Sequence, residues 1–447
     1  MPEAAQTIAE TRGRQPSTRS TARELAQRLR AVRERTLLLA SDLSGEQLLG
    51  PRLAIVNPPL WEFAHVAWFQ EHWCLRYRAL GELAPSLIEN GDPLYNSAIA
   101  AHDTRWDLPL LPFAAVQRYL AAVLERVLER LEREPGNPAL RYFAELAAAH
   151  EEMHCEAFTY TRQTLGYAPP RFAAPAAHTG GAWPGDVEVA GGEFLLGARA
   201  GSGFVFDNEK WAHRVELAPF SLARAAVTNG EFAAFVDDRG YARRELWCDA
   251  GWQWRVNAAA RAPVYWVRQE GQWMQRVYDG IAPLALHAAL IHVNWFEADA
   301  WCRWTGRRLP SEAEWEQAAA TTPSDPAGTR GKRTYPWGEN AADADRANLY
   351  GVCSATSDVA AFAAGDSAWG CRQMLGNAWE WTADWFNPYP GFVRDPYQEY
   401  SEPWFGNHKA LRGGCYATSA SLLRNTWRNF YTPERRDVFA GFRTCKA

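Results

Sequence analysis

The sequence predicts an α+β protein with two unlike halves, a helical bundle followed by a turn-rich sheet domain. Three observations predict it. Before residue 167, apolar residues recur at helical spacing through four long segments. Residues 168–184 are rich in Pro, Ala and Gly and carry no period. Beyond them, short apolar runs, Gly turns and most of the 22 Trp replace the long helices. The 447-residue length also asks for more than one core.

The first helix is expected between Thr21 and Leu43, where Leu25, Leu29, Val32, Leu37 and Leu38 alternate with Arg and Glu. Asn57-Pro58-Pro59 punctuates the chain, and a second helix is expected from Pro59 to about Tyr77. Residues 85–112 look irregular. A third helix is expected over Phe113–Glu134, stopped by Pro135-Gly136-Asn137-Pro138. The fourth runs from about Ala139 to Leu165, before Gly166. Residues 1–20 are polar, without the apolar core of a secretory signal, and read as a disordered tail.

In the second half, Gly191–Gly197 reads as a strand among turns. Three short helices announce themselves by their caps: Thr228 or Asn229, Asn294 with Glu297, and Ser311 with Glu314. The net charge of -5 points to neither nucleic acid nor an anionic membrane, and no apolar run approaches a bilayer span. Eight Cys without a CxxC pair look like thiols of a reducing cytoplasm.

The chemistry concentrates in His150-Glu151-Glu152-Met153-His154. Residues four apart share a helix face, so one metal ion can reach both imidazoles. The pentapeptide also satisfies the HExxH pattern of zinc proteases, and the pattern alone leaves both readings open beside that of a solvated helix face. His65 lies in an apolar stretch of the second helix, and a lone His there is ordinarily a satisfied core residue. It gains weight if it faces His150 and His154, because bundles build metal sites from facing helices. Glu156 falls off the shared face and reads as a supporting or structural group. The Trp379/Trp381 pair reads as core.

Several motifs, in this order, resemble the formylglycine-generating-enzyme/sulfatase-modifying-factor domain, a variant of the C-type-lectin fold: Tyr335-Pro336-Trp337-Gly338, Leu375-Gly376-Asn377-Ala378-Trp379-Glu380-Trp381, Leu411-Arg412-Gly413-Gly414 and Gly441-Phe442-Arg443. The resemblance covers roughly residues 185–445. The first half, residues 21–167, resembles a DinB-like bundle. Its His65 and His150-x3-His154-x-Glu156 are similar to the iron motif of the EgtB ergothioneine sulfoxide synthases.

That resemblance implies Fe(II) on His65, His150 and His154, with O2 and hercynine, the betaine of histidine, as co-substrates. It implies Asn429 and Phe430 as hercynine contacts. Arg105, Tyr431 and Arg435 become candidates for the donor pocket, and Tyr397 or Tyr400 for the proton donor. The second domain lacks closely spaced cysteines near its end, with Cys415 and Cys445 far apart, so it is not expected to generate formylglycine.

The chain departs from the sulfur enzymes at the donor side. Arg105 matches the first of two arginines that grip γ-glutamylcysteine, but Leu108 stands at the second. Tyr431 stands where an aspartate is expected, and Met153 replaces a glutamine. Each missing charge-assisted contact is worth ~1.5–3 kcal/mol when made. A donor without those ionic groups, a selenosugar, fits better. The runs Asn425–Tyr431 and Gly441–Cys445 are similar to the SenA selenoneine synthase branch, which implies carbon–selenium bond formation at the imidazole C2. The alternatives are a thiol donor (γ-glutamylcysteine or cysteine), unmethylated histidine as acceptor, a DinB-like hydrolase or thiol transferase, and a non-catalytic lectin-like binding module.

Overall fold

The computed structural model describes residues 20–171, 177–329 and 331–447. The expected tail, except for Ser20, and the centre of the expected linker lie outside the described residues. Four helices form the bundle: α1 (Ala22–Ala40), α2 (Pro59–Glu71), α3 (Phe113–Arg133) and α4 (Pro138–Leu165). Each boundary has a local cause. Thr21 and Glu24 form a capping box on α1. Asn137 caps α4, Pro138 occupies its first turn, and Gly166 ends it in the left-handed conformation at φ 67°.

The second helix reaches as far as expected, to Arg76, but is α-helical only to Glu71. After Glu71 the backbone widens into a π turn over His72–Arg76, and Tyr77 enters a small hairpin, Tyr77–Ala79 with Glu82–Leu83. The irregular segment that follows contains one short α-helix, Gly91–Tyr95, and one 3-10 turn, His102–Thr104. Helix α1 packs on α4 and α2 on α3. Because α2 is buried nearly all round, it can carry a polar site in its middle without exposing it.

The second half contains two four-stranded sheets. In one, the order is Arg307–Arg308, Cys445–Lys446, Phe220–Ala223, Asp186–Val189, so the last strand lies beside elements from the start of the domain. In the other, the order is Asn429–Tyr431, Lys409–Arg412, Trp379–Trp385, Ala440–Gly441. Helices Asn229–Asp237, Trp295–Thr305 and Glu312–Ala320 start at the expected caps, with Thr228 rather than Asn229 as the first. Buried charges are paired: Arg443 bidentately with Glu380 at 2.8 Å, and Arg428 with Glu312 at 2.7 and 2.9 Å. Trp379 and Trp381 are core residues, at 1% and 0% exposure.

The two halves meet along α4. Glu156 accepts hydrogen bonds from Trp379 Nε1 (2.7 Å) and Thr418 Oγ1 (2.5 Å), and Glu152 accepts one from Ser421. Glu156 is thus a structural tie between the halves. All eight cysteines are free, and among the described residues no helix is long and apolar enough to cross a membrane.

Candidate metal centre

His65 is mid-way along α2 and nearly fully buried. Its Nδ1 donates to the Tyr95 carbonyl at 2.7 Å, which leaves the Nε2 lone pair free. From α4, His150 and His154 bring their Nε2 atoms within 3.1 Å of each other. Ligand atoms of all three histidines lie within 4.8 Å of one another. The lone His65 does therefore face the HxxxH pair.

Three features suit this cluster to a cation. Burial, and then the neighbouring histidines, push His65 and His150 well below the usual imidazole range, so both are neutral and able to ligate. His154 Nε2 faces His150 Nε2 at 3.1 Å, and a cation between the facing lone pairs relieves their mutual repulsion. His154 Nδ1 lies 2.5 Å from Glu62 Oε1, the carboxylate support that orients metal-binding imidazoles. Three imidazole nitrogens gathered on one side suit a borderline transition metal such as Fe(II) and would leave coordination positions open.

The same geometry separates this centre from a zinc protease. Glu151, which would be the general base of HExxH, turns to α1: Arg33 holds it at 2.7 and 3.0 Å and Thr36 at 2.8 Å. Glu152 is held by Arg28 at 3.0 and 2.6 Å. Neither carboxylate is available for activating water.

The walls come from both halves. The Phe69 ring stacks on His150 at 3.6 Å, and Trp61 stacks on His65 at 4.9 Å. From the second half, the Tyr397 ring meets Phe69 edge-on at 4.9 Å and His150 at 6.2 Å. The Tyr400 hydroxyl reaches Met153 Sδ at 3.5 Å, beside His154. Burial raises both tyrosines above the usual phenol range, so each keeps its proton at neutral pH. Phe430, on the edge strand, stacks on Phe386 at 4.1 Å and meets Tyr400 at 5.6 Å. On the same strand, Asn429 Nδ2 approaches the Tyr431 hydroxyl at 3.5 Å.

The two arginines are committed. Arg105 Nη1 donates to Asn57 Oδ1 at 2.5 Å, its Nε donates to the Ala100 carbonyl, and its guanidinium lies 3.8 Å over Trp61. Burial pulls it down to about 10, a shift that Glu62 opposes. Arg435 pairs bidentately with Asp437 at 2.7 Å, reaches the Ile55 carbonyl of the bundle and lies 5.2 Å from the Tyr431 ring.

The DinB superfamily model matches residues 28–158. The sulfatase-modifying factor enzyme 1-like domain matches residues 171–447. The hercynine oxygenase of Mycolicibacterium thermoresistibile is 37% identical over 437 residues, covering 94% of this chain and 94% of that protein. That of Mycobacterium tuberculosis is 37% identical over 426 residues, covering 94% and 98%. The chain belongs to the hercynine oxygenase family. The second half alone is also similar to the formylglycine-generating enzyme of Streptomyces coelicolor, 32% identical over 288 residues, or 58% of this chain and 88% of that protein. The enzyme class expected from the sequence, an O2-dependent oxidoreductase, is that of the hercynine oxygenases.

Two residues escaped the sequence reading. Glu62 is one turn before His65, and its i, i+3 spacing was the available signal. Tyr160, on α4, is raised by burial, with Arg435, Glu62 and Glu156 in its electrostatic reach. Nothing in the sequence places it between the two halves.

Proposed function

We propose that this member of the hercynine oxygenase family is an Fe(II)- and O2-dependent enzyme that joins selenium from a selenosugar to C2 of the hercynine imidazole. The commitment of Arg105 carries the donor part of this reading. Its guanidinium is engaged by Asn57, Ala100 and Trp61, and the place of a second arginine is held by Leu108. A pocket without two free guanidinium groups offers γ-glutamylcysteine no charge-assisted grip for its carboxylates. Tyr431 supports the same conclusion, presenting a protonated phenol where an amine-binding carboxylate would be needed.

In this reading His65, His150 and His154 hold iron. Bound iron would supply the open positions for O2 and for the donor's soft chalcogen. The other roles belong to the chain. Glu62 fixes the orientation of His154. Phe69 and Trp61 exclude water from the ligand rings. Asn429 and Phe430 orient hercynine, whose trimethylammonium suits an aromatic wall. Tyr431 and Arg435 shape the donor side. Tyr397 or Tyr400 holds the proton to be delivered, at its phenolic oxygen. The eight free thiols suit a reducing cytoplasm.

The test is donor competition. Protein loaded anaerobically with Fe(II) receives hercynine and O2, with a reduced selenosugar and γ-glutamylcysteine offered separately and together. Mass spectrometry is expected to find the selenium adduct, with γ-glutamylcysteine left unused. A sulfoxide adduct from γ-glutamylcysteine would overturn the donor assignment and return the chain to thiol chemistry.

A further inference from the structure

Helix α2 carries an aromatic series that continues beyond the candidate ligand His65. Trp61, His65, Trp68, His72, Trp73 and Tyr77 follow one another along it and its π turn. Consecutive rings touch: His65 to Trp68 at 5.8 Å between centroids, Trp68 to His72 at 4.9 Å, His72 to Trp73 at 4.8 Å and Trp73 to Tyr77 at 4.9 Å. A second branch joins from the other side, His150 to Tyr397 at 6.2 Å and Tyr397 to Trp73 at 6.1 Å. Both lead from a candidate ligand to Tyr77, which is half-buried and so meets solvent.

The charges around the series give it a direction. Trp61 and Trp68 flank His65 on opposite sides. The Arg105 guanidinium covers Trp61 at 3.8 Å, so removing an electron from that indole would set two positive charges face to face. Trp68 Nε1 instead donates to Asp92 Oδ1 at 2.7 Å, and a carboxylate there stabilises a positive charge on the indole. Arg76 shares Asp92 and offsets part of this effect, but it lies across the carboxylate and not on the ring. An electron is therefore more readily lost on the Trp68 side. Electronic coupling falls steeply with the gap between rings, and this side has ring contact throughout.

We propose that Trp68, Trp73 and Tyr77 form an escape route that carries oxidising equivalents from the three-histidine site to the surface when O2 is activated without productive substrate. The inference rests on the iron reading above. With an oxidised metal held by the three histidines, Trp68 would give up one electron to it and become a cation radical. Trp73 then reduces the Trp68 cation radical. Tyr77 reduces Trp73 and loses its phenolic proton to solvent. A small thiol donates a hydrogen atom to the Tyr77 radical, restoring the phenol and leaving a thiyl radical. His72 bridges Trp68 to Trp73 without changing oxidation state.

The experiment uses the full chain loaded with Fe(II), without hercynine, and dilute hydrogen peroxide as oxidant. Bound iron is counted first. Freeze-quenched samples are read by electron paramagnetic resonance, and oxidised residues are mapped by peptide mass spectrometry. The expected result is a tryptophanyl or tyrosyl radical, with oxidation concentrated at Trp73 and Tyr77 and suppressed by added thiol. In W73F the radical should fall several-fold while oxidation at His65 and His150 rises. Tyr77 is half-buried, so Y77F tests the terminus without opening the core, and it should shift oxidation inward to Trp73. Iron bound with the same map in W73F and Y77F as in the native chain would overturn the escape route alone. Absence of bound iron would overturn the metal reading and this proposal together.

Discussion

Glu62 Oε1 and His154 Nδ1 lie 2.5 Å apart across the contact of α2 and α4. The carboxylate accepts from Nδ1 and so holds the ring with Nε2 turned toward His150. E62Q keeps the shape and removes the charge. It should weaken metal binding about 10–100-fold, read by titrating Fe(II) or Co(II) against a coloured chelator. Unchanged affinity would remove Glu62 from the site.

H150A and H154A should each abolish stoichiometric iron, measured by elemental analysis, and retention of iron by either would end the ligand assignment. E151Q should behave oppositely. It leaves Arg33 buried without its counter-charge, which costs about 3–5 kcal/mol of stability, yet iron should still bind. Loss of metal with unchanged denaturant stability would return Glu151 to the centre.

Y397F and Y400F address proton delivery. Positioned acid–base groups contribute typically 10²–10⁴-fold, so replacing the true donor should lower turnover by about 100-fold or more or divert the product, with iron still bound. If both variants match the native enzyme in turnover and product distribution, neither tyrosine is the donor.

The donor pocket can be rebuilt. L108R restores a second guanidinium, and Y431D restores a carboxylate. Together they should move donor preference from selenosugar toward γ-glutamylcysteine, measured as the product ratio in a competing reaction. A ratio that does not move would show that specificity lies elsewhere.

His292 makes a pH prediction away from the centre. It is buried, meets Tyr265 and Phe439 edge-on, and burial lowers it to about 3. The folded chain holds it neutral, whereas the unfolded chain protonates it near 6.5. Its stability contribution is therefore complete above pH 6.5 and is lost as the pH falls from there toward 3, at up to about 1.4 kcal/mol per pH unit. H292N suits the backbone, which has φ 64° at this position. It should flatten the acid limb of the stability curve by one proton in urea titrations between pH 6.5 and 4. An unchanged slope would mean that His292 protonates in the folded state.

Local chemistry was legible in the sequence. The capping pairs Asn294/Glu297 and Ser311/Glu314, the stop at Gly166 and the i, i+4 spacing of His150 and His154 all act within one turn of chain, and the structure reproduces them. The family was legible for the same reason, because its motifs are short runs. The π turn at His72–Arg76 was not, since the aromatic run reads equally well as continued α-helix.

Tertiary structure alone decided which way the polar side chains of α2, of α4 and of the segment between α2 and α3 turned. Glu151 went to Arg33, Glu156 to Trp379 and Thr418, Glu62 to His154, and Arg105 to Asn57 and Trp61. These partners lie 44 to 262 residues away along the chain, and a buried charge takes whichever partner the packing brings within reach. Spacing sets the face of a helix on which a residue stands. The opposing elements decide what that face meets, and so whether a carboxylate acts as a metal support, an ion-pair partner or a tie between domains.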